Sequence, residues 1–222
     1  KFDETLQYEP EKNIEPEIYK KADFEEFNEY FSNNLIVGNI NKNCKVQMAK
    51  VIATYEYEVK DRYGIQKRFP KTTFMGLFAA IETPKPFNAS IYIRKDKKDK
   101  NFVTKTIMEK LPLNELNVEL DSQEFEQTFD VYASDKIIAM QLLTADIMEM
   151  LVEFYNKIEK NFEITIKNNF IYIRLDNDNL FKPLSEDEFS LDKEKIYNSY
   201  KILEFMFNLS EKMVKLVNET EY

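Results

Sequence analysis

The sequence predicts an α+β fold, in which an antiparallel β-meander is packed by a kinked central helix and a long C-terminal amphipathic helix. Three observations predict it. Apolar side chains alternate with period two through residues 35–93, as in β-strands. Two helical apolar patches separated by a capping residue occupy residues 137–158. A last helical stripe runs to about Asn218. We expect a single domain over residues 1–222, with a candidate internal division near residues 101–115.

The N-terminal segment is expected to lead into the fold. Residues 1–19 are polar, contain Pro10 and Pro16 and have no helical period, which predicts an extended lead-in. Asp23 is a candidate N-cap, and the aromatic spacing after it predicts a short helix with an aromatic face that anchors the core. The aromatic residues of that face are Phe24, Phe27, Tyr30 and Phe31.

Four segments then read as strands of one meander. The first, LIVGNI, is short, and Gly38 indicates a bulge or the close approach of another backbone. Residues 45–59 carry apolar side chains first on even and then on odd positions, so a bulge is predicted near Ala49–Lys50. Residues 72–81 are almost continuously apolar, as in a strand covered on both faces. Residues 87–93 alternate as the fourth strand.

The most patterned segment runs from Leu116 to Glu159. It reads as a strand, a sharp F-E-x-x-F turn, a second strand and a broken amphipathic helix. Ser134 or Asp135 is placed to cap a first helix and Thr144 a second one, which predicts a short helix, a kink and a longer helix.

Two further elements complete the predicted fold. Residues 162–175 alternate around Asn168-Asn169, a pair suited to positive φ in a two-residue turn, and so predict a β-hairpin. Ser190 or Asp192 caps a helix that is long enough to cross an entire sheet.

The composition excludes several classes of site. The chain has 222 residues, a net charge of −9 and no histidine. Imidazole bases, Ser–His or Cys–His nucleophile pairs and imidazole zinc sites are therefore absent. The single cysteine, Cys44, reads as a small buried hydrophobe, and the three separated glycines form no phosphate loop. The acidic balance argues against a nucleic-acid partner.

The chain contains no signal peptide and no apolar run long enough to span a membrane. It begins at Lys1 rather than at a methionine. We therefore expect a processed or partial product, with the natural N-terminus farther upstream.

A basic run, Arg94–Lys100, is the first candidate interaction site. It would contact phosphate or an anionic lipid surface. The competing interpretation is a solvated loop, which is the usual role of an isolated charge run and is favoured here by the two interspersed aspartates.

Carboxylates supply two further candidates. Four acidic residues cluster around the turn of the central segment and would serve acid–base chemistry or Mg²⁺ or Ca²⁺ binding: Asp121, Glu124, Glu126 and Asp130. Acidic turns beside strands are common, so an ordinary turn is favoured. Residues 176–179 resemble the opening of a calcium loop, but Phe181 stands where that loop needs glycine and Asp187 where it needs glutamate. We therefore assign no catalytic, cofactor-binding or metal-binding residue.

An ordered set of short matches extends from Tyr8 to Pro183. It comprises Tyr8-Glu9-Pro10, Ile14, Phe74-Met75-Gly76-Leu77-Phe78, Phe87, Val118-Glu119-Leu120-Asp121, Glu124-Phe125-Glu126, Phe129-Asp130-Val131-Tyr132, Ser134-Asp135, Ala139, Leu142-Leu143-Thr144, Met148-Glu149, Phe181 and Pro183. This set resembles a bacterial domain-of-unknown-function family, number 3137 in its series (DUF3137-like). The chain departs from the family at Met140-Gln141, Ala145 and Lys182. Members often carry one or two hydrophobic helices ahead of this domain, so the resemblance implies the soluble part of a membrane-anchored protein. It implies no activity.

We therefore expect a non-catalytic binding or interaction domain at the cytoplasmic side of the cell membrane. Its partner is an unidentified protein or lipid, with no nucleic acid and no cofactor. Two alternatives stay open. A strand-rich body closed by a C-terminal helix is also compatible with a pleckstrin-homology-like module that binds lipid head groups or peptides. The clustered carboxylates leave open a metal-dependent enzyme.

Overall fold

A computed structural model of the chain describes residues 5–40, 44–60, 62–95, 118–176 and 193–219. Within these ranges the chain forms eight strands and five helices. The strands are β1 (Gln7–Glu9), β2 (Glu29–Ile40), β3 (Cys44–Lys60), β4 (Gln66–Glu82), β5 (Ile91–Lys95), β6 (Phe129–Ala133), β7 (Phe162–Lys167) and β8 (Phe170–Leu175). The helices are α1 (Pro16–Lys21), α2 (Gln123–Glu126), α3 (Lys136–Leu142), α4 (Ala145–Ile158) and α5 (Lys193–Glu219).

All eight strands belong to one antiparallel sheet, in the order β1-β2-β3-β4-β8-β7-β5-β6. The predicted α+β class is confirmed, and so is the meander for β2, β3 and β4. The fourth strand was placed wrongly, because the β7–β8 hairpin lies between β4 and β5. Alternation reports which faces of a strand are buried but not which strand lies beside it.

Helices α4 and α5 cover one face of the sheet, which we call the helix face. The apolar stripe of α4 (Ile147, Leu151, Phe154) and that of α5 (Phe205, Leu209, Met213) belong to the same core as the inward side chains of the strands. The rings of Phe154 and Phe205 stack face to face across the two helices. The predicted long C-terminal helix is confirmed, and its burial against α4 explains its amphipathic pattern.

The kink predicted in the central helix is confirmed as a break between α3 and α4. The Asp135 carboxylate caps α3 by accepting hydrogen bonds from the backbone N–H of Ile137 at 2.8 Å and of Ile138 at 3.1 Å. Thr144 occupies the N-cap position of α4, as predicted, but its side chain makes no capping hydrogen bond.

The opposite face, which we call the loop face, is covered by the N-terminal segment. Part of the expected extended lead-in is helical, since α1 begins at Pro16, where the fixed φ of proline suits the first helical turn. The prediction of a short helix after Asp23 is wrong. Asp23 has φ of 53°, a loop follows, and β2 begins at Glu29. Phe24 nevertheless lies in the loop-face core with Tyr19.

The bulge expected in β3 occurs instead in its neighbour β2. The register passes from Asn33↔Lys50 to Ile36↔Met48, so β2 carries the extra residue, and Asn34 there has φ of 59°. β3 itself does not change face, because its two sets of alternate side chains enter two different cores. Its even positions enter the helix-face core before Lys50, and its odd positions enter the loop-face core from Ala49 to Ala53.

The close approach predicted at Gly38 is confirmed. A Cβ atom there would lie 2.8 Å from Leu6 Cα and 2.8 Å from the Thr5 carbonyl oxygen. Only glycine leaves room for the lead-in chain to pass beside β2.

β3 and β4 extend well beyond the rest of the sheet. Their paired residues run from Thr54↔Thr72 out to Lys60↔Gln66, whereas β2 pairs with β3 only as far as Thr54. We call residues 54–60 and 62–72 the arm. Nearly every described residue of its outer part is exposed. The arm therefore projects as a two-stranded ribbon outside both cores.

Candidate functional site

Two regions combine charged and aromatic side chains, and the first is buried on the loop face. We call it the charged cluster. Its members are Asp23, Glu25, Arg94, Glu163, Lys167 and Arg174. β5, β7 and β8 supply the side chains that alternate with the helix-face isoleucines, and the loop after α1 supplies the two carboxylates Asp23 and Glu25. Together they place three carboxylates against three cations.

Arg174 lies at the centre of the charged cluster. It donates to Glu163 Oε2 from Nε at 3.0 Å and from Nη2 at 2.6 Å, and its Nη1 pairs with Glu25 Oε2. Its guanidinium also lies 4.7 Å from the ring centre of Phe24. Although burial acts to lower the pKa of Arg174, the carboxylates of Glu163 and Glu25 raise it well above its ordinary value.

Arg94 also lies against Phe24, with its guanidinium 4.8 Å from the ring centre. Its side chain is only 2% exposed. It donates to the Ile164 carbonyl at 2.7 Å and to Thr165 Oγ1 at 2.9 Å, and its Nε lies 3.7 Å from Glu163. Burial lowers the pKa of Arg94 to about 10, so it is charged in neutral solution.

The outer end of the charged cluster is an ion pair between Lys167 Nζ and Asp23 Oδ2 at 2.5 Å. The hydroxyl of Tyr92 donates to the same oxygen at 3.3 Å. Burial, reinforced by the charge of Asp23, raises the pKa of Tyr92 to about 12. At the inner end, the Tyr19 hydroxyl donates to Glu25 at 2.5 Å.

The charged cluster therefore attaches the N-terminal segment to the sheet, and we call this attachment the latch. Its formal charges cancel, its arginines are committed to carboxylates and carbonyl oxygens, and the shifted pKa values lie far from neutrality. A general acid or base acting near neutral pH needs a pKa close to the working pH. The arrangement thus supports attachment of the loop to the sheet.

The sequence contains a local signal for the charged cluster. In IYIR, FEITIK and FIYIRL the charged residues alternate with isoleucines, which places Arg94, Glu163 and Arg174 on one face of three strands. The alternation alone does not predict the cluster, because the loop that covers this face is distant in sequence and the order of the strands depends on tertiary pairing.

The second region is the arm. Residues that lie directly opposite in an antiparallel pair share a face, and Tyr55, Tyr57 and Val59 lie opposite Lys71, Phe69 and Lys67. That face of the arm, which we call the aromatic face, therefore contains apolar and cationic side chains but no carboxylate. The rings of Tyr57 and Phe69 stack with centres 5.7 Å apart. Both are more than 40% exposed.

The other face of the arm contains polar cross-strand pairs. Arg68 Nε lies 2.9 Å from Glu58 Oε1, with both side chains largely exposed. At the tip, Tyr63 is 74% and Ile65 58% exposed, and the guanidinium of Arg62 lies 5.0 Å from the Tyr63 ring centre. Large apolar groups at this exposure contribute little to the fold, and a cluster of them marks an interaction surface.

The candidate carboxylates of the central segment do not form a site. Asp121, Glu124 and Glu126 are exposed. Glu126 accepts a hydrogen bond from the Leu120 backbone N–H at 2.8 Å, as an acidic turn residue does. Throughout the described ranges, no group of three or more Cys, Asp or Glu side chains is arranged to hold a metal ion.

The basic run is divided. Arg94 is buried in the charged cluster, which contradicts its place in an exposed basic surface, and the remainder from residue 96 lies outside the described residues. The same holds for the calcium-like segment after Asp176 and for the candidate division at residues 101–115. Among the helices of the described ranges, none combines the length and apolar composition of a membrane span.

A family model described as "Protein of unknown function (DUF3137)" matches residues 72–215, well over half of the chain. The chain belongs to the DUF3137 family. This match confirms the family resemblance read from the sequence. No curated protein matches the DUF3137 chain.

One solved structure with a similar fold is the crystal structure of the mycobacterial trehalose monomycolate transport factor A, TtfA. The alignment covers 94% of the DUF3137 chain and 88% of the TtfA chain, at 8% sequence identity and a TM-score of 0.46. A similarity of this size carries no inference about what the DUF3137 chain binds.

Proposed function

We propose that this DUF3137 domain is a non-catalytic binding domain that acts at the cytoplasmic face of a bacterial membrane and engages its partner through the arm. The observation that carries the proposal is the exposed aromatic face, Tyr55, Tyr57, Val59 and Phe69 flanked by Lys67 and Lys71. The ribbon has no core of its own, so these apolar side chains are exposed to water, which lowers solubility. Binding of a partner that covers them would explain why they are exposed.

The charged cluster supports the non-catalytic part of the proposal. An enzyme site needs a reactive group that substrate can reach, with a pKa matched to its task. The charged cluster is instead buried and mutually neutralised. The metal-dependent alternative draws no support from the central segment, where Asp121, Glu124 and Glu126 are exposed.

The membrane location comes from the family context. Members of the family often carry hydrophobic helices ahead of this domain, and such a tether would hold the domain within reach of the bilayer surface. Tethering raises the effective concentration of a weakly binding surface, so an arm with modest affinity is sufficient.

Site-specific photocrosslinking in cells tests the proposal. A photoreactive phenylalanine analogue would replace Tyr57 in the full-length protein, and, as a matched control, Tyr197, an exposed tyrosine on α5. We expect covalent adducts, to protein or to lipid, at Tyr57 and few at Tyr197. The adducts would be identified by mass spectrometry.

Equal labelling at the two positions, or none at Tyr57, would overturn the arm as the binding surface. Turnover of a small metabolite by the purified chain, abolished by substitution of a carboxylate, would overturn the non-catalytic assignment. A shift in melting temperature on adding Mg²⁺ or Ca²⁺ would revive the metal-dependent alternative.

A further inference from the structure

We propose that the partner of the arm is the anionic surface of a lipid bilayer, with the tip entering the head-group layer. This inference rests on the proposed binding role of the arm and names its partner. Charge complementarity, the apolar composition of the tip and the two-sided exposure of the ribbon each support it.

The charge of the arm is opposite to that of the rest of the chain. Residues 54–72, the arm with its tip, contain five basic residues, Lys60, Arg62, Lys67, Arg68 and Lys71, and three acidic residues, Glu56, Glu58 and Asp61, of which Asp61 lies outside the described ranges. This stretch therefore has a net charge of +2 in a chain of −9, which leaves −11 for the remainder. An anionic bilayer attracts the arm and repels the acidic body, so the charge distribution also sets the orientation.

The apolar side chains at the end of the arm suit the boundary between head groups and acyl chains. Tyr63 and Ile65 are the most exposed of its large apolar residues, and Val59 and Phe69 follow them along the ribbon. Tyrosine rings concentrate at membrane interfaces, where an apolar ring and a polar hydroxyl are both accommodated. Lysine and arginine side chains beside them extend toward the phosphates.

The exposure of both faces favours a bilayer over an acidic protein. A protein surface that docks flat on one face of a strand pair leaves the other face in water. Here the tip residues and both faces near the tip are exposed, so a fluid interface can surround them on every side. Neither edge of the ribbon beyond Thr54 is paired with a third strand in the described ranges.

Vesicle binding of the 222-residue chain tests the inference. Cosedimentation would compare vesicles rich in phosphatidylglycerol with pure phosphatidylcholine vesicles. We expect binding to the anionic vesicles that weakens with salt, since the screening length falls from about 10 Å at 0.1 M to about 3 Å at 1 M ionic strength. Neutralising a lysine near the surface should weaken binding about fivefold, so Lys67→Gln with Lys71→Gln should weaken it about 20-fold or more.

The matched control is Lys157→Gln with Lys160→Gln, an equal charge change at exposed positions at and just beyond the end of α4. It should leave vesicle binding unchanged. A second comparison, Lys97→Gln with Lys98→Gln, tests the basic run instead. Circular dichroism and melting curves would show that each variant is folded as the parent is.

Insertion of the tip has its own readout, because the chain contains no tryptophan. Tyr63→Trp places a single fluorophore at the tip, and Tyr197→Trp places one on α5. We expect a blue shift and quenching by brominated lipid for the tip fluorophore with anionic vesicles, and neither for the one on α5.

The inference is overturned by absence of binding to anionic vesicles, by equal binding of the Lys67/Lys71 variant, by loss of binding in the Lys97/Lys98 variant alone, or by an unshifted tip fluorophore. Photocrosslinks from Tyr57 to a protein, with no vesicle binding, would overturn the lipid partner and leave the binding role of the arm standing. Absence of photocrosslinks at Tyr57 together with absence of vesicle binding would overturn both the binding role of the arm and its lipid partner.

Discussion

The charged cluster and the arm contain the same kinds of side chain in opposite circumstances. In the charged cluster, the guanidinium groups of two arginines lie against the ring of Phe24 and are neutralised by Glu163 from β7 and Glu25 from a distant loop. In the arm, tyrosine and phenylalanine lie beside lysines on a face without carboxylates, in contact with water. The buried side chains of the charged cluster stabilise the fold, whereas the exposed side chains of the arm are available to a partner. Residue type alone does not distinguish them.

The difference has an energetic counterpart. Breaking a buried ion pair leaves an uncompensated charge in a medium of low polarity, which costs several kcal/mol, whereas an exposed pair contributes about 0–1 kcal/mol. Substitutions in the charged cluster should therefore act on stability, and substitutions in the arm should act on binding. Four predictions test this division, from the largest expected effect to the smallest.

The largest effect is expected for Arg174→Met. The substitution leaves Glu163 and Glu25 without their main partner, and should lower the free energy of unfolding by about 3–5 kcal/mol. Urea unfolding followed by circular dichroism would measure it. Arg68→Met in the arm removes an exposed pair with Glu58 and should change stability by less than about 1 kcal/mol. Equal losses in the two variants would contradict the division.

Alkaline pH should weaken the fold through its buried tyrosines. Burial raises the pKa of Tyr92 and of Tyr172 to about 12, from an ordinary value of 10.0. Their stabilising contribution is therefore complete below pH 10 and is lost as pH rises from 10 toward 12, because the unfolded chain releases the protons first. Two pKa units correspond to at most about 3 kcal/mol for each tyrosine.

Denaturant unfolding at a series of pH values would measure this loss. In Tyr92→Phe the decline between pH 10 and 12 should be shallower than in the parent. An unchanged slope would show that Tyr92 does not contribute to the alkaline transition.

Lys167→Met tests the outer end of the latch. Its pair with Asp23 is about one third exposed on the lysine side, and Asp23 keeps the hydrogen bond from Tyr92, so the loss should be smaller, about 1–2 kcal/mol. The matched control is Lys157→Met, which breaks an exposed pair with Glu153 on one helix and should cost about 0.5 kcal/mol. An unchanged melting curve for Lys167→Met would show that the ion pairs of Arg174, and not that of Lys167 with Asp23, attach the loop to the sheet.

The smallest effect on stability is expected for Tyr57→Thr with Phe69→Thr in the arm. Threonine preserves strand propensity, and only the cross-strand ring contact is lost, which is worth about 0.2–1 kcal/mol. The same variant should lose vesicle binding. A stability loss as large as that of Arg174→Met would show that the arm belongs to the core.

The sequence predicted best where the decisive contacts are local. Asn168-Asn169 marks the β7–β8 turn, Asp135 caps α3, and the stripe of α5 follows its own period, so each element is recognisable from a few neighbouring residues. It predicted worst after Asp23. Aromatic residues there have helical spacing, but the loop-face core takes the rings of Phe24 and Phe27 from an irregular loop and that of Tyr30 from β2, while Phe31 is exposed. Tertiary packing outweighs a weak local preference.

The candidate site followed the same rule. The carboxylates that stand out in sequence, Asp121 to Asp130, proved to be mostly exposed turn residues. The side chains that meet in space, Glu25, Arg94 and Arg174, are far apart along the chain. Residues 54–59 of the arm were predicted as the end of an ordinary strand, since their apolar residues continue the alternation of the buried part. Nothing local shows that pairing with β2 stops at Thr54.

By itself, the sequence determined the α+β class, most strand and helix positions, the family, and the absence of histidine-based chemistry. The family follows from the ordered set of short matches, and the rest follows from composition or from periodicity over a few residues. Only the tertiary structure decided that β7 and β8 enter between β4 and β5, that Arg94 and Arg174 are buried, and that the arm stands free. Those outcomes depend on which distant segment covers each face, and an alternating strand specifies that it has two faces without specifying what lies against them.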